Sequence, residues 1–378
     1  MRKNKAGQIA EKNFYYPFID GLRGIAVLMV LLVHTSQRVG NDYVGSFKFH
    51  FIETFVNAGA RGVQLFFIIS AFTLYNSTRS RYKSDRYPII NFAIRRAFRI
   101  LPFWWVMVVM ASVLIGSIYD IPRVLSNMFF LFGFIRYKEG VELVTGGWSL
   151  FVEETFYMML PIIFLLIDNR RRAFYLFVIT FAISLMWLVL APLLGVSSDR
   201  SFIDLFPLTY WFAFAIGINL YFVMKSDRFQ GFITSGFNAN IFEVATWLII
   251  LLILRGHPIG ATFSFIFIFL SCCSEKTFLG HIARSGLMMR FGVYCYSIYL
   301  FQFPLLDALD PYKIILFNNL GLSGASVDVK LLIYFPVVAM ISLFLAFFTF
   351  NLIELPFLRL GKIVNNKCSS ILSAAFAI

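Results

Sequence analysis

FIDGLRGIAVLMVLLVHTSQ, residues 18–37, decides the fold. The stretch is mostly Leu, Val, Ile, Met and Ala, and at about 1.5 Å per residue it matches the roughly 30 Å hydrocarbon core of a bilayer. It also carries Arg23 and His34 where hydrocarbon penalises polar groups. Eleven residues at about 100° each return to within about 20° of one face and cover about 16 Å along the axis. The two therefore form one polar stripe at two depths. Asp20, three residues before Arg23, is positioned to pair with it. The plainer alternative is a snorkelling arginine and a histidine satisfied by a neighbouring helix.

Outward from this stretch the chain keeps the same character. Of its 378 residues, 59% are hydrophobic and 14% charged, and the mean hydropathy is +0.77. Soluble domains hold roughly 45–50% apolar and about 25% charged residues, so a soluble fold is excluded. Apolar runs near 18–37, 61–78, 100–119, 147–167, 173–194, 202–223, 241–254, 261–273, 291–306 and 331–353 predict an all-α polytopic transmembrane helix bundle of about ten spans. The runs 241–254 and 261–273 are short, and form either two helices or one re-entrant pair. VLSNMFFLFGFI at 124–135 is shorter still and is expected to dip into the membrane without crossing it.

The net charge of +13 is spread through the loops and not gathered on one domain, which argues for topology and against nucleic acid. With the N-terminus inside, 22 of the 33 Lys and Arg fall on the inner side and 10 on the outer, with Arg23 inside the first span. This bias follows the positive-inside rule and puts both termini in the cytoplasm. The basic start, MRKNKAGQIAEKN, precedes a charged apolar stretch without a small-residue cleavage site, so it reads as leading an uncleaved first helix. Cys272, Cys273, Cys295 and Cys368 have no metal-ligand spacing and suggest no disulfide framework. No metal and no resident cofactor are expected.

Chemistry is sought in the polar residues that the membrane makes costly. In NFAIRRAFRILPFWW (91–105), Arg95, Arg96 and Arg99 lie within about one turn, and Arg96 and Arg99 share a face suited to a bidentate phosphate clamp. Ordinary positive-inside anchoring is the alternative. In GGWSLFVEETFYMMLP (146–161), Ser149, Glu153 and Tyr157 recur every four residues as a polar stripe, with Glu154 beside it. A carboxylate at that depth must be protonated, paired or in water, and Arg61 or a histidine is a possible partner for it. Gln64, Ser70, Tyr299 and Gln302 are weaker signals read as helix-packing contacts, and NLIELPF with Glu354 reads as a helix terminus at the cytoplasmic surface.

These segments, RGIAVLMVLLVH (23–34), GVQLFFIISAF (62–72), RRAFRILP (95–102), GGWSLFVEETFY (146–157) and YSIYLFQFP (296–304), resemble the integral-membrane acyltransferase-3 family in order, from about 17 to 358. Ala71 stands where that family usually has Gly, and Gln302 where it often has His. The resemblance implies a single membrane acyltransferase domain over 1–366, with a short tail at 367–378. It implies an O-acyltransferase moving an acyl group, by family habit acetyl, from cytosolic acetyl-CoA or another acyl-CoA to a cell-envelope glycan such as lipopolysaccharide or exopolysaccharide. His34 and Glu153 would be catalytic, Arg23, Arg96 and Arg99 would bind the donor, and Asp20, Trp148, Ser149 and Tyr157 would support them. The sequence stops soon after the last apolar run, so the esterase-like domain fused to some relatives is expected to be missing and the membrane domain to complete the transfer or hand the acyl group to a partner. The expected home is a bacterial inner membrane. The competing class is a non-enzymatic permease or flippase for a glycan or lipid-linked sugar, since buried polar stripes serve transport too.

Overall fold

The apolar runs fold as helices, only some of them as long as the bilayer argument requires. In chain order they are α1 (Pro17–Asn41), α2 (His50–Asn57), α3 (Gly62–Tyr82), α4 (Pro88–Leu114), α5 (Ile121–Met128), α6 (Gly147–Leu166), α7 (Arg170–Leu193) and α8 (Arg200–Leu205). There follow α9 (Trp211–Met224), α10 (Asp227–Thr234), α11 (Gly236–Ile253), α12 (Pro258–Cys273), α13 (Phe278–Ala283), α14 (Gly286–Val293), α15 (Cys295–Asn319), α16 (Val327–Thr349) and α17 (Leu355–Ala375). The computed structural model describes residues 16–41, 47–82, 85–134, 142–196, 200–234, 236–253 and 258–375, and no strand occurs among them. The basic stretch at 1–13, with Lys83, Arg136, Lys138 and Arg255, lies outside the described residues.

Among the described residues, six helical stretches are long and apolar enough to cross a membrane: Pro17–Gly40, His50–Tyr82, Pro88–Leu114, Gly147–Leu166, Arg170–Leu193 and Val327–Leu372. Trp211–Met224, Ala239–Ile249 and Ile259–Cys273 are apolar but shorter. The predicted span at 202–223 resolves into the six-residue α8, a 3₁₀ turn at Pro207–Thr209 and α9. The predicted span at 291–306 becomes the 25-residue α15, whose apolar character is diluted by Gln302, Asp307, Asp310 and Lys313. The stretch at 124–135 forms the end of α5 and one 3₁₀ turn, too short to span.

Helix α1 is central, packed against α3, α13, α14, α15 and α16. Small residues let backbones touch there: a Cβ on Gly292 of α14 would fall 1.6 Å from the Asp20 carbonyl oxygen of α1. Gly217 serves α9 against α3 in the same way, since a Cβ there would lie 2.2 Å from the Ile68 oxygen. Helix α7 is the opposite case. Phe174, Ile179, Met186 and Leu193 on it are exposed, as expected for a lipid-facing helix.

The C-terminal region departs from the sequence expectation. NLIELPF is no helix end: α16 passes through a π turn at Phe350–Glu354 straight into α17. Pro356, the second residue of α17, follows directly on that turn inside the continuous helix. The boundary expected at 366 falls inside α17, and Ser369 beyond it donates to Asn91 Oδ1 at 3.1 Å, tying α17 to α4.

Candidate functional site

A cavity of about 460 Å³ opens beside the Arg23 half of α1, walled by α1, α3, α4, α6, α14, α15, the π turn and α17. Asp20, Arg23, Arg96, Arg99, Ser149, Glu153 and Tyr157 line it together. Residues separated by more than 130 positions in sequence thus meet in one chamber. Ser70, Cys295, Tyr296 and Tyr299 complete its polar wall.

The three arginines are held differently. Arg23 lies 2.9 Å from Asp20 Oδ1 and donates to Thr73 Oγ1 at 3.3 Å. Arg99 Nη1 is 3.5 Å from Glu354 Oε2, and Ser297 Oγ donates to the other oxygen of that carboxylate. Arg96 forms no ion pair among the described residues. Its guanidinium sits 5.8 Å from the Tyr157 ring centroid, and its Nε is buried without a hydrogen-bond partner. Arg95, the third member of the sequence cluster, turns away to Asp85 at 3.1 Å and does not line the cavity.

Glu153 is a second centre. It accepts hydrogen bonds from Ser70 Oγ of α3 and from Tyr157 Oη one turn along α6, and among the described residues neither Arg61 nor a histidine is its partner. Two hydroxyl donors onto one carboxylate oxygen orient the group without neutralising it. One turn before it, Ser149 Oγ and Tyr299 Oη lie 2.6 Å apart, and Tyr299 also donates to the Gly146 carbonyl at 3.0 Å. Gly146 caps α6 with φ +87°, a conformation that glycine adopts without Cβ strain.

His34 and Trp148 do not line the chamber. His34 Nδ1 is 3.0 Å from Gln37 Oε1, and its ring packs on Phe303 with centroids 4.5 Å apart. Phe303 is in turn the neighbour of Gly146, 3.4 Å from the position its Cβ would take. A single aromatic therefore contacts His34 on one side and the Gly146 turn on the other. Trp148 packs on Tyr210 at 5.5 Å, and its backbone N–H donates to Glu142 Oε1 at 2.8 Å, which fixes the start of α6.

Sequence reasoning took Ser70 and Tyr299 for packing contacts and Glu354 for a surface residue. The structure puts the first two on the cavity wall and buries Glu354 against Arg99. The rule applied to Glu153, a carboxylate inside an apolar helix, would have found Glu354 as well.

The geometry is that of a chamber with a basic wall and a carboxylate held by hydroxyls, with His34 outside the wall against Phe303. Comparison with known proteins agrees with the earlier resemblance. Relatives include the peptidoglycan O-acetyltransferase OatA of Listeria monocytogenes, 23% identical over 79% of this chain and 50% of its own length. A candidate O-acetyltransferase of Staphylococcus aureus is 24% identical over 98% of this chain and 62% of its own length. The chain thus spans between half and two thirds of the length of these relatives. No solved structure matches it at a significant level. The acyltransferase-domain family matches residues 16–351, nearly every residue that builds the chamber, and the chain belongs to that family of membrane acyltransferases.

Proposed function

We propose that this protein is a membrane O-acyltransferase that takes an acyl group, acetyl by family habit, from cytosolic acyl-CoA and transfers it to a hydroxyl of a cell-envelope glycan. One observation carries the reading: three arginines and the Glu153 cluster wall a single chamber within an acyltransferase-family helix bundle. Lipopolysaccharide O-antigen and exopolysaccharide are among the acceptor classes, and the names of the relatives add peptidoglycan. The lysine and arginine bias supports about ten spans with both termini cytoplasmic in a bacterial inner membrane. The three shorter apolar helices and α15 supply the crossings beyond the six long stretches.

In this reading the coenzyme phosphates dock on the chamber's arginines. Arg23 and Arg99 are already countered by Asp20 and Glu354, so Arg96 is the principal anion receptor. The pantetheine arm then covers much of the ~16 Å between the levels of Arg23 and His34. Gln37 Oε1 is an acceptor, so its contact with His34 is satisfied when Nδ1 carries the proton, which leaves the lone pair on Nε2. His34 serves as general base on the sugar hydroxyl or as transient acyl carrier, and both tasks use that lone pair. Glu153 supports the reaction as an oriented carboxylate between the donor site and the Ser149–Tyr299 pair.

The test is transfer itself. Protein reconstituted with radiolabelled acetyl-CoA and cell-envelope glycan is expected to move label to sugar, and His34→Ala is expected to abolish this while remaining inserted in the membrane. Full transfer by that variant refutes the role of His34. Movement of glycan across vesicles without labelling supports the permease alternative instead.

A further inference from the structure

Gln302 is a buried polar residue for which the chamber just described has no use. It is 1% exposed, and neither Oε1 nor Nε2 has a hydrogen-bond partner among the described residues. Burying both halves of an amide unmet is costly, and an apolar residue of the same size avoids that cost.

Its direction follows from its neighbours on α15. Cys295, seven residues earlier, lines the cavity, and Lys313, eleven residues later, donates to the Arg38 carbonyl of α1 at 2.6 Å. Steps of seven and eleven residues each return to within about 20° of the same helix face. Gln302 therefore lies on a stripe whose Cys295 end lines the cavity and whose Lys313 end meets α1, between the two and not itself on the cavity wall. It stands about 10 Å beyond Cys295 along the axis. The next residue, Phe303, packs on His34, which puts Gln302 at the level of that histidine.

The geometry points to Gln302 as the group that binds the thioester end of the pantetheine arm between chamber and His34, an assignment that rests on the acyl-CoA reading above. Nε2 donates to the acyl carbonyl oxygen, and Oε1 accepts from the adjoining cysteamine N–H. During transfer the acceptor hydroxyl oxygen bonds to the carbonyl carbon, the C–S bond breaks, and the hydroxyl proton ends on the coenzyme thiol. The Nε2 hydrogen bond strengthens as charge develops on the carbonyl oxygen, so it favours the transition state over the bound donor.

Gln302→Met removes both polar atoms and keeps an unbranched side chain of similar length. Native protein and variant in lipid nanodiscs are compared for acetyl turnover, for affinity toward acetyl-CoA and toward 3′-phospho-ADP, which lacks the arm, and for thermal stability. The variant is expected to lose turnover about 100-fold, as when an oxyanion donor is removed, and to bind acetyl-CoA several-fold more weakly. Its affinity for 3′-phospho-ADP and its melting temperature should not fall. Turnover equal to native overturns the assignment, and so does a parallel loss of stability and nucleotide binding, which marks the amide as structural. Should the methionine variant misfold, Gln302→Leu carries the same test. Native protein that binds neither acetyl-CoA nor 3′-phospho-ADP overturns the acyl-CoA reading itself, and this assignment with it.

Discussion

Truncating Arg96 to alanine isolates the anion-binding part of the reading. Arg23 and Arg99 each have a carboxylate at 2.9 and 3.5 Å, whereas Arg96 has no carboxylate within ion-pair distance among the described residues, lies on the face of Tyr157 with Glu153 and Glu154 nearby, and keeps a buried, unmet Nε. A hydrogen bond to a charged group contributes about 1.5–3 kcal/mol, and each 1.4 kcal/mol is about tenfold in affinity. Arg96→Ala is therefore expected to weaken acetyl-CoA binding between about 10- and 150-fold. Arg96→Lys keeps the charge but loses the planar fork, and should fall between native and alanine. Stability should change little, because the lost cation–π contact is worth about 1 kcal/mol and an orphaned buried nitrogen goes with it. Arg95→Ala is the control: Arg95 pairs with Asp85 at 3.1 Å away from the cavity, so its loss should alter binding less than about threefold. The assay is equilibrium binding of radiolabelled acetyl-CoA to protein in nanodiscs at low and high salt, with the arginine dependence steeper at low salt. Arg96→Ala binding within twofold of native, or Arg95→Ala weakened equally, refutes the reasoning.

Two further changes test the scaffold. Glu354→Gln keeps an acceptor for Ser297 but removes the charge opposite Arg99; because the Arg99 side chain is 28% exposed to the cavity, the loss should be about 1–3 kcal/mol, less than for a fully enclosed pair. A melting temperature equal to native would count against that ion pair. Gly292→Val drives a side chain into the Asp20 backbone and should cost about 1–3 kcal/mol or more through separation of α1 from α14, read as reduced thermal stability and reduced donor binding together. A variant as stable as native would mean that the two helices are not held at that contact.

The sequence made the helical class and much of the chamber legible, because hydrocarbon leaves few reasons for Arg23, Arg96, Arg99 or Glu153 inside apolar helices. Spacing gave the face each residue occupies, such as the Ser149–Glu153–Tyr157 stripe that now lines the cavity. It could not give the neighbour across the gap. Ser70 meets Glu153 across 83 positions, and Tyr299 meets Ser149 across 150, through packing that no single helix encodes. The exclusion of His34 from the chamber wall was hidden for the same reason, since the residues it packs on, such as Phe303, come from another helix. Glu354 was missed because the proline two residues later read as a stop, while a π turn carries the helix on. The runs at 241–254 and 261–273 were ambiguous in length alone and fold as the two helices α11 and α12, while the full-length span expected at 202–223 is broken by the turn at Pro207–Thr209.

That π turn fixes a rotational phase. A wide turn holds one residue more than an α-helical register allows, so the faces of α16 and α17 are offset by about 100° from where an unbroken helix would put them. Deleting a single residue within 350–354 would keep the helix but spin everything after it. Gly361 would leave the Phe98 side chain that its missing Cβ accommodates, and Ser369 would leave Asn91. The chamber's arginine wall thus depends on a count of residues in the segment that also supplies Glu354. Apart from Glu354, variation in length there is expected to be far more damaging than variation in side-chain identity.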